Sequence, residues 1–101
     1  MNKEFNNLTM EQSLSEAIKD FVQTYRLDEK LNEMHLSRVW EQLMGKTIAQ
    51  HTKELHISKK KLYIRFDSAA LREELSYAKG KVIKMVNEKF GEEVVEDIVL
   101  R

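Results

Sequence analysis

The sequence predicts an α+β domain: two or three N-terminal helices, then a β-hairpin, a long helix and a final strand, in the order ααββαβ, around a small three-stranded sheet. Three observations predict it. Apolar residues recur at spacings of three and four as far as Met44, alternate with polar residues between Lys53 and Asp67, and return to helical spacing from Leu71 to Val86. With 101 residues and neither cysteine nor proline, the chain has the size of one domain that buries a core without disulfide or metal staples.

Residues 1–8 show no apolar period and are expected to form a disordered end, with a single domain over residues 9–101. Thr9 and Gln12 fit a capping box, and Ser13 with Glu16 offers a second register for it. Leu14, Ala17, Ile18, Phe21, Val22 and Tyr25 then make an apolar stripe, which predicts an amphipathic helix packed against another element. Asp28 is the expected cap of a second helix carrying Leu31 and Met34. The period slips by one near His35 and Leu36, predicting a break or kink there, and Ser37 is placed to cap a following helix with Val39, Trp40, Leu43 and Met44. Trp40 is in phase with that stripe, so packing is favoured over ligand stacking. Gly45 either ends the helix or permits close packing inside it.

The triplet Gly45-Lys46-Thr47 is also the ending of a nucleotide-binding phosphate loop. That loop needs a glycine five positions earlier, where this chain has Trp40, and it follows a strand rather than the helical spacing seen here. The triplet is therefore not read as a nucleotide site.

Leu55 and Ile57 alternate with Glu54, His56 and Ser58, and Leu62, Ile64 and Phe66 alternate with Tyr63, Arg65 and Asp67. Period two joined by a short polar connector predicts an antiparallel hairpin, although no Asn-Gly or Asp-Gly pair makes its turn readable. Asp67 or Ser68 is the expected cap of one long helix with Leu71, Leu75, Ala78, Val82, Met85 and Val86 on its buried face and Gly91 at its end. Val94, Val95, Ile98, Val99 and Leu100 read as the last strand. A right-handed crossover makes that strand parallel to the second one, and the expected sheet order, 2-1-3, places it beside the first.

The 17 basic and 17 acidic residues balance, so an anionic partner has to be met by a local patch. One exists in outline: between Lys53 and Gly91 there are ten Lys or Arg against five acids. No apolar run is long enough to cross a bilayer and no leader is recognised, which predicts a cytoplasmic protein without a membrane partner. The three histidines, His35, His51 and His56, include no helical pair at i, i+4, so no metal is expected. No nucleophile has a base beside it, and no glycine-rich cradle is present, which predicts a protein that is not an enzyme and has no cofactor. Two groups of residues are candidates for binding nucleic acid. Lys59, Lys60 and Lys61 lie at the hairpin tip, and Tyr77, Gly80, Lys81 and Lys84 share the face of the long helix opposite Leu71. An exposed mid-helix glycine costs about 1 kcal/mol relative to alanine, so Gly80 either lies on an ordinary solvated face or lets a phosphate or backbone approach closely.

Trp40, Gly45, Ile48-Ala49, His51-Thr52, the strand end Leu62-Tyr63-Ile64, Asp67-Ser68, Leu71, Leu75 and the closing Ile98-Val99-Leu100 together resemble the DciA-like family of bacterial proteins associated with the replicative helicase. The resemblance spans residues 10–101. It implies a KH-like fold, binding of single- or double-stranded DNA, and assistance in loading the helicase without ATP hydrolysis. It assigns Trp40 and Gly45 structural roles. Two features differ from the pattern it implies: there is no Gly-x-x-Gly clamp between helices, and the sequence ends at Arg101, where many members continue in a helicase-contacting tail. The alternative reading, favoured by the zero net charge, is a protein-interaction domain with little affinity for nucleic acid.

Overall fold

A computed structural model describes residues 3–25 and 27–101, with side chains from Ser13 onward. The backbone of residues 3–8 already belongs to the first helix, where a disordered end was expected, and Thr9 lies inside that helix rather than at its start; residues 1 and 2 lie outside the described residues. The elements are α1 (Lys3–Tyr25), α2 (Leu27–Met44), α3 (Lys46–Gln50), β1 (Thr52–Ser58), β2 (Lys61–Phe66), α4 (Ala69–Ser76), α5 (Lys79–Phe90) and β3 (Asp97–Leu100). The α+β class and the helix-first order are those predicted.

The hairpin forms with Leu55 opposite Ile64, His56 opposite Tyr63 and Ile57 opposite Leu62, and a bulge lies between Thr52 and Glu54. Its inward residues and one face of the covering helices make the core. Leu36, Ile57, Leu62, Ile64, Leu75, Val82, Val86, Val95 and Ile98 are all buried, and Val39, Leu43 and Leu55 pack around them. Trp40 joins this core from α2. Its indole N–H donates to the Thr52 hydroxyl at 3.0 Å, and that hydroxyl donates to the Ile48 carbonyl at 2.7 Å, so one side chain ties α2, α3 and β1 together. Gly45 sits between α2 and α3 with φ +89°, in the region that a Cβ disfavours, and leaves the Gly-Lys-Thr triplet at a helix–helix junction. Among the described residues no strand precedes it.

Further expectations are corrected. Helix α2 runs unbroken from Leu27 to Met44, and Ser37 does not cap a new helix but donates back to the Glu33 carbonyl at 3.1 Å. The long helix is two helices, with Tyr77 capping the end of α4 and Ala78 opening α5. Tyr77 N–H reaches the Glu74 carbonyl and Ala78 N–H the Leu75 carbonyl, three residues back, so the last turn tightens and the axis is interrupted. The last strand begins only at Asp97. Val94 and Val95 are buried in the preceding loop, held by the Asn87 side chain, whose oxygen accepts both their N–H groups at 2.9 and 3.0 Å and whose amide donates to the Val95 carbonyl at 2.8 Å.

The sheet order is β1-β2-β3, not 2-1-3, with β2 and β3 parallel as the crossover requires. The free edge of β1 is occupied by α2, through the Trp40–Thr52 bond, the Glu33 carboxylate on His56 at 3.1 Å and the Glu29 carboxylate accepting the Lys59 N–H at 2.8 Å. Only the β2 edge is left for the returning chain.

Helix α1 does not find the cover its stripe predicts. Leu14, Ile18, Phe21 and Tyr25 are each 55 to 63% exposed, and Leu31 and Met34 in the first half of α2 are exposed too. The molecule is 67 Å long but only 22 by 20 Å across, so α1 and α2 lie along one axis and carry α1 past the sheet.

Candidate nucleic-acid interface

Lys59 and Lys60 form the two-residue hairpin turn, both at positive φ (50° and 60°), which is the primed turn geometry that matches strand twist. Side chains of these two and of Lys61 are exposed. The tip is anchored by backbone bonds: Lys59 N–H to the Glu29 carboxylate, and the Lys60 carbonyl to the Glu96 N–H at 2.7 Å. Three cations are thereby presented on a fixed turn.

The second predicted group is only partly brought together. Gly80, Lys81 and Lys84 are exposed on one side of α5, but Tyr77 belongs to the turn between α4 and α5, where it is 83% exposed. Gly80 is not mid-helix; it lies in the first turn of α5, with open space where a Cβ would stand. Ala78 provides no side-chain cap, so the amides of that first turn have no side-chain acceptor from the capping position.

Apart from Lys61, the residues on the face of the sheet turned away from the core were not assigned to a site by sequence reading. Strand pairing sets them in three rows: Ser58, Lys61 and Asp97; His56, Tyr63 and Val99; Glu54, Arg65 and Arg101. Arg101 completes the third row because its N–H donates to the Ile64 carbonyl and its carbonyl accepts from Phe66 N–H. The Arg101 guanidinium lies 5.0 Å from the centroid of the Tyr63 ring, and the His56 ring is 5.9 Å from it. Arg65 pairs with Glu54 at 3.2 Å, both exposed. A shallow cavity of about 330 Å³ opens over Tyr63 between these groups. The signal was the alternation itself, which already marked Glu54, His56, Tyr63 and Arg65 as outward.

At the open end of the hairpin, His51 Nδ1 lies 2.7 Å from one Asp67 oxygen and Lys53 Nζ 3.2 Å from the other. The His51 hydrogen bond, aided by Lys53, holds the Asp67 carboxyl below its ordinary pKa. The Asp67 N–H donates to the His51 carbonyl, so this cluster closes the hairpin where the chain leaves for α4. Ser68, not Asp67, caps α4, accepting the Leu71 N–H. Among the described residues no group of three His, Cys, Asp or Glu is placed to hold a metal, and no helix is long and apolar enough to cross a membrane.

The structure is thus a small α+β domain with cations on an anchored turn and an open sheet face that carries basic and aromatic side chains. The family can be stated more closely. The family model described as "Dna[CI] antecedent, DciA" matches residues 13–100, and the chain belongs to that family, which its name associates with helicase loading. A "UPF0232 protein" of Corynebacterium glutamicum (strain R) is 36% identical over 59 residues, covering 58% of this chain and 33% of the relative. The chain thus matches about one third of that relative's length. No solved structure is a significant match.

Proposed function

We propose that this chain is a non-enzymatic DNA-associated protein that assists the loading or action of the bacterial replicative helicase. The observation that carries the reading is the family match over residues 13–100. The geometry supports it. Lys59, Lys60 and Lys61 stand on a turn fixed by backbone bonds, where phosphates can be met at little ordering cost. Lys81 and Lys84 flank the uncapped first turn of α5, whose amides favour an anion and whose Gly80 leaves space for one. Tyr77 adds an exposed ring at the same turn.

A second reading, a protein-interaction domain with little nucleic-acid affinity, is favoured by the zero net charge and by the pairing of Arg65 with Glu54. Partner capture tests the first. The chain, immobilised and verified as folded, is expected to retain the replicative helicase of its own cell. Passage of the helicase without retention, at physiological salt and with purified components, would contradict the proposed role.

A further inference from the structure

We propose that the open face of the sheet is a stacking platform for single-stranded nucleic acid, with one base on the Tyr63 ring and Lys61, Arg65 and Arg101 against the adjoining phosphates. The proposal rests on the DNA-associated reading and adds to it a surface distinct from the α5 turn. Lys61, Tyr63 and Arg65 are alternate residues of the central strand, so their side chains leave the same face in a line, a ring between two cations. That is the arrangement single strands require: a π-face for each unstacked base and cations that follow the backbone. Lys61 also joins the platform to the turn at Lys59 and Lys60, extending the basic track along the sheet and off its end.

The contents of the face favour this occupant over a protein. Its three rows hold one aliphatic side chain, Val99, whereas the centre of a protein interface is apolar and depleted of charge. A duplex is also disfavoured, because its bases are stacked on each other and cannot lie on a ring half-sunk in a sheet. Arg101 now occupies the place of the base. Its contact with Tyr63 shows that the ring accepts a flat, electron-poor group, and its displacement releases a cation beside the incoming phosphate. The Glu54–Arg65 pair is exposed on both sides and opens readily for the same purpose.

The test compares a fluorescent oligo-dT, a duplex of equal length and an oligo-rU, each titrated with the full chain and its variants. Tyr63→Ala is expected to weaken oligo-dT binding about five- to a hundredfold, as loss of one base stack does, with Tyr63→Phe close to the parent and duplex binding little changed. In parallel, the Tyr63 ring resonances of the unsubstituted chain should shift on addition of oligo-dT, a readout that needs no variant to fold. Oligo-dT binding that leaves those resonances and the Tyr63→Ala affinity unchanged overturns the platform while the DNA reading stands. Tighter binding of oligo-rU, lost in Tyr63→Ala, supports the platform and overturns the preference for DNA. Absence of binding to all three at low salt overturns both.

Discussion

Asn87 shows how much one side chain can hold in so small a domain. Two N–H groups and one carbonyl of the Val94–Val95 loop depend on it, and that loop inserts two valines into the core before β3 starts. Asn87→Ala is therefore expected to destabilise the fold by about 2–3 kcal/mol in urea titration, since partly buried backbone groups are left unpaired. Asn87→Asp, which keeps the acceptor and loses the donor, should cost less. Asp67 makes a pH-dependent contribution. Its carboxyl is held below the value it has in the unfolded chain, so the stabilisation is complete above about pH 4 and is lost as the pH falls through the depressed pKa. Thermal melts should show Asp67→Asn less stable than the parent at pH 7, with the difference shrinking as the pH falls below about 4. Neither role was legible beforehand. Asn87 and His51 acquire their partners only through tertiary contact, whereas Trp40 and Gly45 announce themselves locally, one by its phase in an apolar stripe and the other by the end of that stripe.

Elements were legible where periodicity alone decides them. The hairpin follows from alternation, and the burial of Leu75, Val82 and Val86 against it follows from their helical spacing. The break between α4 and α5 has no glycine or proline at Tyr77-Ala78 to mark it; it arises from backbone bonding three residues back. The sheet order was hidden for another reason, because the edge of β1 is taken by α2 through contacts up to 30 residues apart. The Lys59-Lys60 turn places two ordinary residues at positive φ, a conformation that glycine and asparagine adopt more easily. Lys59→Asn with Lys60→Gly is expected to raise stability by about 1 kcal/mol in urea titration while weakening DNA binding. The two ends of the helical arm should also differ. Phe21→Ala in exposed α1 should change stability by no more than about 0.5 kcal/mol, and Leu36→Ala, fully buried in α2, by about 2–5 kcal/mol.

The whole molecule is a compact sheet domain with a helical arm, neutral in sum and basic in places. Neutrality removes long-range attraction to DNA, so the proposed binding has to come from short-range contacts, at the hairpin tip, on the open sheet face and on α5. Each phosphate contact releases condensed counterions, and affinity should therefore fall as salt rises. Titration of labelled single- and double-stranded DNA at two salt concentrations, with the parent chain and with Lys81→Ala/Lys84→Ala, tests this. The double substitution is expected to weaken binding and to flatten the salt dependence by about two contacts. No detectable binding of either DNA by the parent at low salt would contradict a DNA-associated role, and unaltered binding by the double variant would remove α5 from the interface.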